Sequence, residues 1–209
     1  MRVSIKICGL TTPEDARAAA QAGADAIGLV FWPRSPRAVT VAAARRIAAA
    51  LPAFVLRVGV FVNAPREELL RVADEVGLDI LQLHGQEPPE ALAGLTRRAL
   101  KAVALAGPED VQRARRYADS GAALLVDAAG QPAPGGTGRT ADWALARRLR
   151  EQVPELVLAG GLTPENVAAA IAAVEPHGVD VSSGVELAPG CKQAARMQAF
   201  VAAVRGVAA

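Results

Sequence analysis

Eight short apolar runs recur along this chain, and each is followed by a segment of helical composition. The runs are residues 4–8, 26–31, 55–61, 79–84, 99–104, 123–127, 156–159 and 179–182. The segments between them are 13–22, 41–51, 65–76, 88–95, 108–118, 142–152, 164–173 and 192–204, rich in Ala, Leu and Arg. A strand that alternates with a helix builds a parallel sheet, because each helix carries the chain back to the same end of the sheet. Eight such repeats within 209 residues argue for one closed (β/α)8 barrel occupying residues 1–209 as a single domain. An open doubly wound sheet uses the same alternation. The count of eight and the compact length favour the barrel.

Local punctuation supports these boundaries. Thr12-Pro13, Ala64-Pro65 after Asn63, Gly107-Pro108 and Thr163-Pro164 each place proline near a first helical turn, where its missing N–H costs little. Gly23, Gly77 and Gly121 follow three of the helical segments, where a left-handed stop is expected. Residues 22–27, 76–81 and 120–125 are near-copies of one helix-to-strand turn. The two longest connections, 32–40 and 128–141, both follow strands. In a barrel they belong to the face where strands end and active sites form.

About half of the chain is apolar, enough for a full core, and aromatics make up only 3%, so packing rests on Ala, Val and Leu. The net charge of +2 is spread along the chain, with no basic block or aromatic ladder to argue for nucleic acid. Cys8 and Cys191 stand at opposite ends of the sequence; a disulfide between them is conceivable, but their spacing resembles neither a disulfide framework nor a metal cluster. No signal-peptide pattern and no run of membrane-spanning length is seen. A cytoplasmic protein without membrane or nucleic-acid partners is the expectation.

The period of two within each strand separates chemistry from packing. In the first run Val3, Ile5 and Ile7 form an aliphatic face, while Ser4, Lys6 and Cys8 form a polar one. The aliphatic parity should face the helices and the other the barrel interior. Ile80, Gln82 and His84 share a parity, as do Asp180 and Ser182. Lys6 and Asp180 then point inward from the first and last strands, neighbours in a closed barrel, and an inward lysine needs a partner. A buried Lys6–Asp180 ion pair is predicted.

Polar groups recur near strand ends at Cys8, His84, Asp127 and Ser182. Cys8 alone reads more readily as a small buried residue, and Asp127 alone equally well as a turn or capping aspartate. Together, a thiol and a carboxylate at two strand ends can serve as base and acid. His84 reads as a satisfied structural histidine, His177 as a surface one, and Cys191 as incidental. Three small-residue stretches can seat a phosphate: Gly135-Gly136-Thr137-Gly138, Leu158-Ala159-Gly160-Gly161-Leu162, and the run from Asp180 through Ser182, Ser183 and Gly184 to Glu186. The last two follow strands 7 and 8, the usual phosphate position in such barrels. Arg37, two prolines into the stiff loop after strand 2, suits a carboxylate, with Arg34 less restrained.

Seven ordered motifs carry a resemblance that covers nearly the whole chain. They are Lys6-Ile7-Cys8-Gly9-Leu10, Phe31-Trp32-Pro33-Arg34-Ser35-Pro36-Arg37, Val58-Gly59-Val60-Phe61-Val62-Asn63, Leu81-Gln82-Leu83-His84-Gly85, Gly135-Gly136-Thr137-Gly138 with Asp142-Trp143, Leu158-Ala159-Gly160-Gly161-Leu162, and Asp180-Val181-Ser182-Ser183-Gly184-Val185-Glu186. In these the chain resembles the phosphoribosylanthranilate isomerases of tryptophan biosynthesis. The resemblance implies a single barrel, no metal, no organic cofactor and an Amadori rearrangement of a phosphorylated aminoaldose. It implies Cys8 as general base, Asp127 as general acid and Arg37 as ligand of the anthranilate carboxylate. Gly160, Gly161, Ser182, Ser183 and Gly184 line the phosphate site in this reading, and Gly136 and Asp180 also bind substrate. Two features depart from the family pattern: Gln193 after Lys192, and a loop with two prolines after Asp127. A barrel isomerase acting on the histidine-pathway aminoaldose, and a barrel that only binds phosphorylated metabolites, are the alternatives. A monomer or a homodimer fits equally.

Overall fold

The structure, a computed structural model, describes residues 2–128 and 141–207. Eight parallel strands close on themselves in chain order: β1 (Ser4–Cys8), β2 (Ala26–Val30), β3 (Leu56–Phe61), β4 (Ile80–Leu83), β5 (Arg98–Ala104), β6 (Ala123–Asp127), β7 (Leu156–Leu158) and β8 (Gly178–Val181). β1 pairs with β8 as well as with β2, placing Lys6 opposite Asp180. That pairing is the closure that distinguishes the expected barrel from an open sheet.

Among the described residues seven α-helices surround the strands: α1 (Pro13–Ala22), α2 (Val41–Ala49), α3 (Arg66–Val76), α4 (Pro108–Ala118), α5 (Trp143–Arg150), α6 (Val167–Val174) and α7 (Ala194–Val207). The cap at Thr12 is made as expected, its hydroxyl accepting from the Asp15 N–H at 3.1 Å with Pro13 opening the helix. Gly23 and Gly77 end α1 and α3 in the left-handed region.

Three expectations need correction. The segment 88–95 is not an α-helix but a single 3-10 turn, Pro89–Leu92. Pro89 holds Pro88 extended, and Gly94 turns to φ 66°, so too few residues remain between them to nucleate a helix. A polar cluster pins this connection over the outside of β5 instead. Lys101 Nζ donates to the carbonyls of Leu83 and Gly85 and to Glu87 Oε2, and Tyr117 Oη donates to the Glu87 carbonyl. The sixth α-helix begins at Val167 rather than Pro164. Asn166 closes the preceding turn with its own side chain, accepting from the Thr163 N–H at 2.8 Å and donating to the Gly161 carbonyl at 2.9 Å. The last helix begins at Ala194, because residues 186–192 form an antiparallel ribbon of β9 (Glu186–Ala188) and β10 (Cys191–Lys192).

The two strand parities separate as predicted. Ile5, Ile7, Ile27, Leu29, Phe61, Leu81, Leu83, Leu124, Val126, Leu158 and Val179 face outward into one continuous core shared with the helices. Burying each fully enclosed Ile or Leu of this shell stabilises the fold by roughly 1.5–3 kcal/mol. The inward parity makes two small apolar patches, Leu100, Ala102, Leu125 and Ala159 in one, Cys8, Val30 and Val60 in the other. Polar groups take up the remaining inward space: Lys6, Gln82 and Asp180 are all buried.

Candidate active site

Where the strands end, the inward parity opens into a cleft. Its walls bring together Cys8 from β1, Arg37 from the loop after β2, His84 after β4, Asp127 from β6, Gly160 and Gly161 after β7, and Asp180, Ser182 and Ser183 from β8 and its loop. Gly184 follows directly and packs on Leu162, another lining residue. Of the residues picked from sequence, Gly136 and the Gly135–Gly138 stretch lie outside the described residues.

Cys8 is the last residue of β1 and has Gly28 of β2 as its register partner. Burial pushes its thiol above the ordinary value, and Lys6 opposes that push. The predicted ion pair is present, Lys6 Nζ donating to Asp180 Oδ1 at 2.8 Å with both side chains buried. Burial also raises Asp180, and Lys6 offsets this only in part. The next residue, Gly9, stands at φ 76°, and a Cβ there would lie 2.5 Å from Arg37 Cδ and 3.1 Å from Ser182 Oγ. Only a residue without a side chain lets Arg37 cross the end of β1 this closely.

Asp127 is held at both oxygens. Oδ1 accepts from the Ala128 N–H at 2.8 Å, and Oδ2 lies 3.2 Å from His84 Nε2. Gln82 Nε2 lies 2.9 Å from His84 Nδ1, so the ring bridges Gln82 and Asp127. Gln82 Oε1 is buried without a partner. His84 is thus satisfied, as expected of a structural histidine, but its partner is the candidate acid. The shared parity of Gln82 and His84 was the signal for this relay.

Arg37 is buried and already bound to a carboxylate of the protein itself. Its Nε and Nη2 donate to Glu186 Oε1 and Oε2 at 2.8 and 2.6 Å. Lys192 Nζ donates to the same Oε1 at 2.7 Å and to the Ser182 carbonyl at 3.2 Å. Burial would push Glu186 up, but Arg37 and Lys192 hold it below the usual carboxylate range. Burial pulls Lys192 below the ordinary lysine value. The ribbon β9–β10 therefore ties the Arg37 loop to the loop after β8. Sequence reading missed Glu186 and Lys192 as members of the site; Glu186 closes the last phosphate-like run, and that was the signal available.

The two loops after β7 and β8 lie against each other. Gly160 and Gly161 have φ of 80° and 62°. A Cβ on Gly160 would lie 2.7 Å from the Ala128 nitrogen and 3.1 Å from Asp127 Oδ1, and one on Gly184 would overlap the Leu162 carbonyl oxygen. Backbone that passes this closely, with Ser182 and Ser183 beside it, makes a concave seat of the kind that holds phosphate oxygens.

Elsewhere, His177 is only partly exposed and caps the start of β7, its Nδ1 accepting from the Leu156 N–H at 3.1 Å. Cys191 is exposed, and both cysteines are free. Among the described residues no group of His, Cys, Asp and Glu could hold a metal ion, and no helix is long and apolar enough to cross a membrane.

Comparison with known proteins identifies the family. A family model described as N-(5'phosphoribosyl)anthranilate (PRA) isomerase matches residues 5–203. The N-(5'-phosphoribosyl)anthranilate isomerase of Pseudomonas aeruginosa is 53% identical over 204 residues, covering 97% of this chain and 95% of that one. The solved phosphoribosyl anthranilate isomerase from Thermotoga maritima superposes with a TM-score of 0.92 at 43% identity, covering 98% of this chain and 99% of that one. A phosphoribosyl anthranilate isomerase solved in complex with reduced 1-(o-carboxyphenylamino)-1-deoxyribulose 5-phosphate gives a TM-score of 0.88 at 42% identity, with the same coverage. The match runs from β1 into α7 and takes in every strand of the barrel, so the chain belongs to the N-(5'-phosphoribosyl)anthranilate isomerase family.

Proposed function

We propose that this chain converts N-(5'-phosphoribosyl)anthranilate to 1-(2-carboxyphenylamino)-1-deoxyribulose 5-phosphate, a step of tryptophan biosynthesis, with Cys8 as base and Asp127 as acid. The observation that carries the assignment is the meeting of Cys8 and Asp127 in one cleft with the glycine and serine loops after β7 and β8.

The reaction needs two proton transfers at fixed places. Asp127, carrying a proton, gives it to the ribose ring oxygen as the C1'–O bond breaks, and the opened sugar becomes a protonated Schiff base. His84 Nε2–H then donates to the carboxylate that Asp127 has become. The thiolate of Cys8 removes the proton from C2', whose electrons flow into the iminium. The resulting enolamine tautomerises to the ketone. The backbone at Gly160, Gly161 and Gly184, with Ser182 and Ser183, holds the phosphate, while Arg37 holds the anthranilate carboxylate with Nη1, the terminal nitrogen that Glu186 leaves unused. Asp180 lies beside the reacting sugar. Two anchored ends fix the reacting carbons between acid and base, which removes the orientational cost of the step. Gly136, in the glycine run after β6, is assigned to substrate binding from the sequence alone.

Turnover of the purified protein on N-(5'-phosphoribosyl)anthranilate tests this directly. Cys8→Ala and Asp127→Ala are each expected to lower kcat by at least about 10²-fold, the scale of a positioned acid or base. Near-wild-type turnover in a folded variant rejects the role of that residue, and absence of turnover by the parent rejects the substrate.

A further inference from the structure

Lys6 is a buried cation that the chemistry above leaves without a task. It lies on β1 one inward position before Cys8, and only 6% of it is exposed. Its register partner and its hydrogen-bond partner are both Asp180. The ammonium does not stay at that level of the barrel. A Cβ placed on Gly28, the register partner of Cys8, would lie 3.1 Å from Lys6 Nζ and 2.5 Å from Cys8 Sγ. Ammonium and thiol therefore face one shared gap, which exists because residue 28 has no side chain.

The charged groups that bear on the thiol come from three strands: Lys6 from β1, Asp180 from β8 and Lys192 from β10. Asp127 from β6 and His84, just past β4, act on Asp180 in turn, and Arg37 acts on Lys192. Burial is the main force against the thiolate, and Lys6 is the largest force for it. Burial also works against the ammonium, but Asp180 and Cys8 outweigh it and hold Lys6 above the ordinary lysine value.

We infer that Lys6 is a positioning residue for the base: Asp180 holds its ammonium in the gap beside Cys8, where it stabilises the thiolate without giving up a proton. Asp180 thereby has a second duty, as the anchor of that cation. The catalytic consequence rests on the proposed reaction. There the C2' proton arrives on Sγ, the thiolate becomes a thiol, and Lys6 stays an ammonium throughout.

The test reads the thiol and not the turnover. In a Cys191→Ser parent, Cys8 is the only thiol, and its alkylation by iodoacetamide is followed by mass spectrometry across pH, without substrate. Lys6→Met is expected to slow alkylation at pH 7 by at least about tenfold, since tenfold corresponds to only a third of a close charge pair at intermediate dielectric. The double variant Lys6→Met/Asp180→Asn leaves no unpaired buried carboxylate, so it carries the test should the single variant fail to fold. It is expected to alkylate more slowly than the parent too, because Lys6 acts on Cys8 more strongly than Asp180 does. A folded variant of either kind whose rate–pH curve coincides with the parent's overturns the inference. A shifted curve with unimpaired turnover upholds it and rejects Cys8 as base; an unshifted curve beside an inactive Cys8→Ala does the reverse.

Discussion

Replacing Glu186 by Gln is the sharpest single perturbation of this site's framework. The carboxylate accepts four hydrogen bonds: two from Arg37, one from Lys192 at 2.7 Å and one from the Gly190 N–H at 3.2 Å. Its side chain is only 4% exposed, and those of Arg37 and Lys192 are 9% and 0% exposed. An amide of the same shape keeps one acceptor oxygen and loses the charge, so two buried cations face each other. Leaving a buried charge without its partner costs about 3–5 kcal/mol. Burial already pulls Lys192 below the ordinary lysine value, so shedding its proton relieves part of the strain. A loss near the lower end, about 3 kcal/mol, is therefore expected. With a urea slope of about 2 kcal/mol per molar, the unfolding midpoint falls by roughly 1.5 M. The loss should shrink as pH rises, because deprotonating Lys192 removes one of the two opposed charges. Glu75→Gln is the control. Its pair with Arg71 lies on the exposed face of α3, and its removal should stay within about 0.5 kcal/mol. Equal urea midpoints for Glu186→Gln and Glu75→Gln refute the reasoning.

Other outcomes follow from neighbouring geometry. Arg37→Ala should raise KM for N-(5'-phosphoribosyl)anthranilate by about ten- to hundredfold, the worth of one hydrogen bond to a charged group, and unchanged steady-state constants reject the carboxylate contact. Gly184→Ala pushes a methyl into the Leu162 carbonyl, so the loops after β7 and β8 must part. Its kcat/KM is expected to fall about 10²-fold, as for a misplacement of about 1 Å, while the far-ultraviolet spectrum stays that of the folded barrel. Glu87 is pushed up by burial but held below the usual carboxylate range by Lys101 and the Asn63 N–H. The unfolded chain therefore takes up this proton at higher pH than the native one. The stability it contributes is complete above the ordinary glutamate value and is lost as pH falls through the folded one. Glu87→Gln should thus be destabilised by about 3 kcal/mol near neutrality, and thermal melts should show that difference narrowing below about pH 4.

The barrel and the core of the site were legible because both are written in short-range pattern. The outward residues Ile5 and Ile7 and the inward residues Lys6 and Cys8 declare themselves by alternation alone. Closure then makes Lys6 and Asp180 neighbours by counting strands, and the pair forms as predicted. Cys8, Asp127, Gly160 and Ser182 share one cleft for the same reason: each stands at or just past the end of a strand, and a barrel collects its strand ends on one face. The missing fourth helix was a misreading of composition. Pro88, Pro89 and Gly94 outweigh the helical preference of the few residues between them.

What the sequence by itself determined is thus the number of strands and the face each inward side chain shares, because a period of two and a count of eight survive without coordinates. Tertiary structure alone decided how the side chains of the site are held. Arg37 finds Glu186 across 149 residues, and His84 finds Asp127 across 43. The ribbon that makes the first contact has strands of three and two residues, too short to show any period. Buried charges must be paired wherever the fold brings them together, and that choice depends on packing in space, which no local pattern encodes.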